Sequence, residues 1–352
     1  MKALPRFLRT LIVMSCVMSM VLFVVACGGD DDSDPTETKI PFGGEAFLTD
    51  DAEGYEFPLY VDGTLLYRNA SGIHLYDMDA NAAFTVKEST AADVLQRGTV
   101  LVSGNSIAWQ HSATTLKIYN RGSDLVKTIA PIPNPMMPNM CMQGEYIVFM
   151  AKNKRMYMYN ILSQTGNYTM PYITTDAKQS EHFACYGNKI AVTTDDGTLL
   201  IADWAPAGEL VSIPQDSRVE IAANGIPQQV VMNDKYIVYV TDANEIYMVA
   251  LADTSQAVRV AARKSPADGA AQIDDLLLQG DYLVWSDDGF GYYTLFYADL
   301  SSNEGQGFKQ SQMTNDSRDQ KYPTINPATG IMYWSDWTDG ADSVPVLYRG
   351  EI

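Results

Sequence analysis

This 352-residue chain is built from a unit that repeats seven times. The clearest copy runs from Gln279 to Leu300, where two runs of aromatic and β-branched residues enclose an acidic turn that contains glycine. Such a pattern is typical of a β-hairpin. We take Leu283, an apolar residue in the first run, as the anchor of the unit. The equivalent anchors recur at intervals of 40 to 49 residues: Leu66, Ile107, Ile147, Ile190, Ile237, Leu283 and Met332.

Each unit supplies enough chain for four strands. One predicted strand precedes the anchor strand and two follow it, and a bulky residue lies two positions after every anchor except the first, where Arg68 stands. In the fourth unit we expect the last strand at Glu209 to Pro214. Four-stranded units of about 40–50 residues are typical of the blades of a β-propeller. The repeat therefore predicts an all-β fold, a seven-bladed β-propeller over residues 44–352.

The last unit lacks a fourth strand, because the sequence ends at Ile352 after the third strand. A matching segment lies near the other end, where Glu45 to Pro58 parallels Lys309 to Pro323. We therefore expect Glu45 to Thr49 to pair with the strand around Val346 to Tyr348. This N-terminal strand would complete the last blade and remove the exposed edges of an open array.

These strand sequences resemble the TolB-like and WD40-like propeller repeat. The resemblance lies in fourth strands that end in Leu-Thr or Met-Thr, as at Thr49 and Thr314, in a nearby proline, and in a third strand that ends in Asp, such as Ile73 to Asp77. It covers residues 44–352. The repeat differs from true WD40 repeats, since it has no Gly-His pair and Trp-Asp does not close the third strand. The resemblance implies a β-propeller fold.

The N-terminus has the features of a secretory signal. Three basic residues precede an apolar run from Leu11 to Ala26, and Val24-Val25-Ala26-Cys27 resembles the lipobox of bacterial lipoproteins. We expect residues 1–26 to be a signal peptide, Cys27 to carry a lipid, and residues 27–43 to form an acidic tether. The alternative is an ordinary signal peptide with a chance cysteine. Gly28, in place of Asp, favours a lipid-anchored protein of the outer membrane, facing either side.

The charge of the chain excludes some partners. The formal net charge is −19, and removal of the three basic residues of the signal would bring it to −22. Such a chain is unsuited to nucleic acid or to an electrostatic grip on anionic lipid. We therefore expect a monomer without a cofactor, held at the membrane by its lipid.

Two of the four cysteines fall within the propeller. Cys16 lies in the signal and Cys27 at the lipidation site, which leaves Cys141 and Cys185. They precede their anchors by six and five residues, so both lie in the first strand of neighbouring units. A disulfide is compatible with an oxidising compartment. Two buried thiols are equally compatible, because an offset of one residue can turn side chains to opposite faces of a strand.

The motifs for metal binding and catalysis are weak. Asp77, Asp79, Asn81 and Glu88 have nearly the spacing of a calcium loop, but Ala82 replaces the required glycine and the flanks are predicted strands. A turn between two strands explains this segment better. Three histidines, His74, His111 and His182, fall in different units, and neither a G-x-S-x-G motif nor a phosphate loop occurs. We predict neither a metal site nor catalytic residues.

The turns after the anchor strands differ in charge between the two halves of the chain. In the last four units they are acidic, and the candidate binding residues are Asp195, Asp287, Asp288 and Asp336. In the third unit the turn is basic, from Lys152 to Arg155. All these turns share one face of a propeller, so we expect a binding surface for a basic or cation-bridged partner. The alternative is that aspartate is present only because it favours turns.

The sequence therefore predicts a non-catalytic scaffold that binds an envelope protein or a glycan. The alternative is a carbohydrate-active enzyme, a lyase or glycosidase, that uses loop carboxylates as acid and base.

Overall fold

A computed structural model describes residues 44–48, 54–90, 99–129, 132, 136–161, 168–169, 179–207, 210–262, 272–302, 308–314, 317–337 and 344–352. The predicted signal peptide, the lipidation site Cys27 and the acidic tether lie outside the described residues. Within them, no helix has the length and apolar character needed to cross a membrane.

Seven four-stranded antiparallel sheets follow one another along the chain, and we number them as blades 1 to 7. The innermost strands of blades 1 to 7 are Glu56–Val61, Val100–Ser103, Met136–Gln143, Gln179–Tyr186, Pro227–Met232, Ile273–Gln279 and Asp319–Asn326. The second strands are Thr64–Asn69, Ser106–Ser112, Tyr146–Ala151, Lys189–Thr194, Tyr236–Thr241, Tyr282–Asp287 and Ile331–Trp337. The predicted seven-bladed β-propeller is confirmed.

The two outer strands complete each blade. The third strands are Gly72–Asp77, Thr115–Asn120, Met156–Asn160, Thr198–Asp203, Glu245–Ala250, Thr294–Asp299 and Val346–Glu351. The outermost strands are Ala82–Thr85, Leu125–Ile129, Tyr168–Thr169, Val219–Ala222, Asp253–Ala262, Gln310–Gln312 and, for blade 7, Glu45–Leu48. The elements outside the blades are a hairpin of Ala205–Ala207 with Leu210–Ser212 and the 3₁₀ turns Gln215–Ser217 and Leu300–Ser302.

The N-terminal strand closes the ring as the sequence predicts. Glu45–Leu48 pairs antiparallel with Val346–Glu351, with Ala46 opposite Tyr348. The strand also supplies Phe47, whose ring centroid lies 5.1 Å from that of Tyr76 in blade 1 and 5.5 Å from that of Tyr333 in blade 7. The closing strand therefore joins the first and last blades by side-chain packing as well as by main-chain pairing.

The prediction for the outermost strand of blade 4 is wrong. Leu210–Ser212, in the segment expected to form it, pairs instead with Ala205–Ala207 as a separate hairpin. The outermost strand is Val219–Ala222, which pairs with Thr198–Asp203. The physical reason is burial, because Ile221 reaches the apolar layer between blades 4 and 5. Outer strands have little other apolar surface to hold them in place.

The core consists of apolar layers between neighbouring blades. In blades 2 to 7 the anchor and the bulky residue after it face the preceding blade, as with Ile147 and Phe149, which pack among side chains of blade 2. The residue after the anchor faces the next blade, as Val148 does. All six of these anchors have no exposed surface: Ile107, Ile147, Ile190, Ile237, Leu283 and Met332.

The anchor proposed for the first unit is one residue out of register. Leu66 packs against blade 2, on the face opposite to the one used by the other anchors. The equivalent residue is Leu65, which packs with Tyr333 of blade 7, and Tyr67 is the bulky residue two positions later. Arg68 is therefore no exception to the repeat, since it lies one position beyond the bulky site and forms an ion pair with Glu56 at 3.4 Å.

The innermost strands are joined to one another by side chains. Asn139 Nδ2 of blade 3 donates to Phe183 O of blade 4 at 3.0 Å, and Gln279 Nε2 of blade 6 donates to Tyr60 O of blade 1 at 2.6 Å. A hydrogen bond to a buried carbonyl adds about 1 kcal/mol of net stability. These links hold the inner ring rigid, although its members belong to different sheets.

A disulfide between Cys141 and Cys185 joins the innermost strands of blades 3 and 4, with a Cα–Cα distance of 5.9 Å. From the sequence alone, the offset of one residue left both a disulfide and two buried thiols possible. In the structure, the same offset is what allows the disulfide to form. Cys141 lies opposite Val148 and faces blade 4, whereas Cys185 lies opposite Ile190 and faces blade 3. Both belong to the apolar layer between these two blades.

Candidate functional site

The strand directions give the ring two distinct ends. Each innermost strand begins, and each second strand ends, at the same end of its blade, because the sheets are antiparallel. We call this end the upper face. The described turns between second and third strands that lie there are 70–71, 113–114, 152–155, 195–197, 242–244 and 288–293. The lower face carries the turns between innermost and second strands.

A central channel of about 670 Å³ lies between the innermost strands, and residues of all seven blades line it. This volume falls within the range of about 300–1,000 Å³ that is usual for small-molecule sites. Its wall has two zones. The lower zone is apolar, with side chains such as Val230, Leu277 and Leu278.

The upper zone of the channel is polar and aromatic. One position of the innermost strand, three residues before the partner of the anchor, supplies a wall residue in six of the seven blades. The six residues at this level are Phe57, Asn139, His182, Gln229, Asp275 and Tyr322. We call them the mouth ring. They differ in chemistry from blade to blade, so the ring offers distinct groups on different sides.

The mouth ring has an unusual backbone in blades 6, 7 and 1, which are consecutive around the axis. Phe57, Asp275 and Tyr322 have φ values of 54°, 52° and 57°. Each lies where the pairing of the innermost strand shifts its register, and such a bulge re-aims a side chain. A left-handed conformation costs a residue with a Cβ about 1–2 kcal/mol. The surrounding blades hold three such residues together at the mouth.

An aromatic pair forms one side of the mouth. The ring centroids of Phe57 and Tyr322 lie 4.0 Å apart at 34°, and Trp337 approaches Tyr322 edge-on at 6.1 Å. Asp275 supports this pair, because its Oδ2 accepts hydrogen bonds from the backbone N of Tyr322 at 3.2 Å and from Ser286 Oγ at 3.0 Å. The aromatic surface is therefore held by blades 1, 6 and 7 together.

Carboxylates surround Tyr293, which lies next to this side of the mouth. Burial raises the pKa of Tyr293 to about 12, and the carboxylates of Asp274, Asp288, Asp275 and Asp319 act in the same direction. A negative potential disfavours a phenolate, so these carboxylates add to the effect of burial. Tyr293 therefore lies among acidic side chains at the upper end of blade 6.

Amides form the other side of the mouth. Gln229 Nε2 donates to Ile273 O at 3.3 Å, and its Oε1 accepts from the backbone N of Leu276 at 3.4 Å. Asn139 donates to Phe183 O in the same manner. The primary task of these amides is to join adjacent innermost strands.

The predicted acidic residues do not form one exposed patch. Asp195 is exposed, and its Oδ2 lies 2.7 Å from Nζ of Lys154 in the preceding blade. An ion pair therefore joins the basic turn of blade 3 to the acidic turn of blade 4. Asp288 lies in the upper turn of blade 6 and its Oδ1 accepts from the backbone N of Gln272 at 2.7 Å. Asp287 is buried, and its Oδ1 accepts from the backbone N of Gly289 at 2.7 Å.

The placement of Asp336 in an exposed turn is wrong. Asp336 lies within the second strand of blade 7 and has 0% exposure. Its Oδ1 lies 3.4 Å from Arg318 Nη1 and its Oδ2 accepts from Gln320 Nε2 at 3.2 Å. An ion pair with Arg318 and a hydrogen bond from Gln320 hold this buried carboxylate, which presents nothing to a docking partner. We therefore restrict the binding prediction to Asp195 and Asp288.

The segment that resembles a calcium loop is a turn. Asp77 Oδ1 accepts from the backbone N of Asp79 at 3.0 Å and of Ala80 at 2.9 Å, between the third and outermost strands of blade 1. His74 is buried and bonds Asn69 through Nε2 at 2.7 Å, far along the chain from His182 in the channel wall. In the described part of the chain, no group of three or more His, Cys, Asp or Glu side chains is arranged to hold a metal ion.

The mouth ring was not predicted from the sequence. A signal was present, because each predicted innermost strand of units 3 to 7 has a polar or aromatic residue within its first three positions. Asn139, His182, Gln229, Asp275 and Tyr322 fall at one register position once the strands are aligned by their anchors. Only closure of the ring shows that this position points at a common axis.

Comparisons with known proteins support the fold of this chain. No protein-family model matches the chain, and no curated protein matches it in sequence. The Cps50 (Swd1) β-propeller domain of Myceliophteria thermophila is similar in structure, with a TM-score of 0.61 and 10% identity over 85% of this chain and all of that one. A chain of the mitotic checkpoint complex has a TM-score of 0.61 and 13% identity, over 94% of this chain and 99% of that one.

A third similar structure is YCF48 bound to D1 peptide, with a TM-score of 0.57 and 9% identity over 91% of this chain and 98% of that one. At these identities the likeness concerns the fold alone. The chain therefore has a seven-bladed β-propeller fold, which it shares with these structures. The TolB-like lipoprotein identity stays an expectation of the sequence.

Proposed function

We propose that this protein is a non-catalytic scaffold of the bacterial cell envelope that binds a protein or glycan partner on its upper face. The observation that carries the proposal is the mouth ring, where six blades place different polar and aromatic groups around one opening. A rigid set of unlike groups around an opening suits recognition. Rigidity comes from the disulfide and from the hydrogen bonds that join the innermost strands.

Two further features of the upper face support a docking surface. Ile226, Phe290 and Val344 are exposed apolar side chains at the upper ends of blades 5, 6 and 7. Exposed apolar groups beside charged ones are typical of interaction sites. The structure of YCF48 bound to D1 peptide shows that a propeller of similar fold binds a peptide.

We expect the double exchange Asp195→Asn with Asp288→Asn to weaken partner capture several-fold and to leave the melting temperature nearly unchanged. Both side chains lie at the upper face, and both exchanges keep the shape of the side chain while removing its charge. Capture from an envelope extract should also weaken as salt rises, because exposed charges are screened.

The lower face provides a matched control. Asp62 and Asp281 lie in turns between innermost and second strands; Asp281 lies 2.8 Å from Lys235, much as Asp195 lies near Lys154. The double exchange Asp62→Asn with Asp281→Asn removes the same charge from the other face. Equal capture by both double variants would contradict an upper-face site.

Release of a cleaved glycan from an envelope extract would instead favour the carbohydrate-active enzyme.

The envelope location rests on the lipobox, so Cys27→Ala should move the protein from the membrane fraction to the soluble fraction. Membrane attachment then depends on the lipid, because the strongly acidic chain has no electrostatic grip on anionic lipid. Cell fractionation followed by immunoblotting measures the effect, with Cys16→Ala in the signal as the control. A Cys27→Ala protein that stays with the membranes would refute the lipid anchor.

A further inference from the structure

Over the residues that the structure describes, the fixed charge of the channel lining is negative. Among the residues that line the channel there are two aspartates, Asp274 and Asp275, and neither a lysine nor an arginine. The described lining residues also include one imidazole, that of His182. A narrow opening with walls of one sign concentrates ions of the opposite sign.

The aromatic pair provides a second, independent element of the same opening. Phe57 and Tyr322 both line the channel, and the Arg68 guanidinium lies 5.8 Å from the Phe57 ring centroid. Aromatic faces attract ammonium and guanidinium groups because the face of the ring is electronegative, and they also accept the apolar part of such a ligand.

A contact of this kind, between an ammonium group and an aromatic ring, already exists at the edge of the mouth. Lys321 Nζ lies 3.6 Å from the centroid of the Tyr293 ring, whose surroundings include Asp274 and Asp288. Lys321 precedes Tyr322 of the mouth ring in the same innermost strand. An ammonium group therefore already lies over an aromatic face on this side of the opening.

We infer that the channel mouth binds an organic cation, an ammonium or guanidinium group carried next to an apolar group. This inference rests on the proposed function, because it gives the chemistry that the same face would take from its partner. The cation could come from a basic side chain of a partner protein or from a small free amine. An anion is disfavoured by Asp274 and Asp275, and a cation gains more from these carboxylates than a neutral hydrogen-bond donor does.

The test compares matched probes on the full chain by calorimetry. N-acetylarginine amide represents a partner side chain, N-acetylcitrulline amide is its neutral isostere, and benzyltrimethylammonium represents a free amine. We expect the arginine probe to bind about tenfold more tightly than the citrulline probe, since the charge is the difference between them. Stronger binding of benzyltrimethylammonium than of the arginine probe would identify a free amine as the source.

Three variants locate the site. Asp274→Asn should weaken binding of the cationic probes about tenfold, and its amide oxygen can still accept the bond from the backbone N of Asp275. Lys321→Gln should strengthen binding several-fold, because it removes the competing ammonium. Asp62→Asn on the lower face should change nothing.

Equal binding of the arginine and citrulline probes would overturn the inference, as would no binding at millimolar concentration. So would equal effects of Asp274→Asn and Asp62→Asn. These outcomes are distinct from failure of the scaffold. If partner capture depends on Asp195 and Asp288 but the probes do not bind, the scaffold proposal holds and the cation site is refuted. If the probes bind but no partner is captured, the cation site holds and the scaffold proposal fails.

Discussion

Deletion of Glu45–Leu48 is expected to lower the free energy of unfolding by about 4 kcal/mol or more and to make the protein prone to aggregation. The deletion removes the strand that pairs with Val346–Glu351, so the third strand of blade 7 becomes an exposed edge. It also removes the packing of Phe47 against Tyr76 and Tyr333. An unpaired edge is a template for association with other chains.

The loss is large because the strand joins the two ends of the ring. Arg349 Nε donates to Glu45 Oε1 at 2.7 Å, and the Arg349 guanidinium lies 5.1 Å from the Phe47 ring centroid. Main-chain pairing, aromatic packing and a charged hydrogen bond are lost together. Main-chain pairing and the packing of Phe47 each contribute about 1–2 kcal/mol, and the exposed ion pair adds less, so their sum exceeds the effect of an ordinary surface change.

Two point variants separate packing from pairing. Phe47→Ala keeps the strand and should cost about 2 kcal/mol, because the ring is only partly buried. Phe290→Ala is the matched control, since Phe290 is 57% exposed and its truncation should cost little. Urea denaturation and light scattering measure both effects. A deletion protein that unfolds at the wild-type urea concentration would show that the ring closes without this strand.

Removal of the disulfide by the double exchange Cys141→Ala with Cys185→Ala should lower the free energy of unfolding by about 4 kcal/mol. The two cysteines are separated by 44 positions. Breaking the link restores the freedom of a loop of this length to the unfolded chain. Because the link joins blades 3 and 4 at the channel wall, its loss should also loosen the inner ring there.

Reductant distinguishes the disulfide from the cysteine side chains. The urea midpoint of the wild type should fall when a thiol reductant is present, whereas that of the double variant should stay the same. The reduced wild type and the double variant should agree closely, because alanine is smaller than cysteine but remains apolar. A wild-type midpoint that is indifferent to reductant would refute the predicted stabilisation by the bridge.

Local pattern was enough to predict the number of blades and most of their strands. The anchors Ile107 to Met332 and the bulky residues after them are buried as the repeat indicates, because alternation along a strand decides which side chains leave water. The first unit was misread by one residue, at Leu66 in place of Leu65. Two adjacent leucines fit the apolar pattern equally well, and only the neighbouring blade distinguishes them.

Which polar residues are buried was the feature least predictable from the sequence. Asp336 and Asp287 look like turn residues, yet both are buried at the end of a second strand. Their partners Arg318 and Gly289 come from separate connections. A sequence does not show that an arginine after an outermost strand will reach the end of a second strand.

The sequence by itself determined the class of fold, the seven blades and the closing strand, because period, turn residues and apolar alternation are all properties of short segments. The tertiary structure decided which residues meet. The blades face one another around a ring, so Cys141 and Cys185 need their offset of one residue in order to touch. The same curvature brings residues far apart in sequence, from Phe57 to Tyr322, to one channel mouth. Convergence on an axis depends on the angle between sheets, and no short segment encodes that angle.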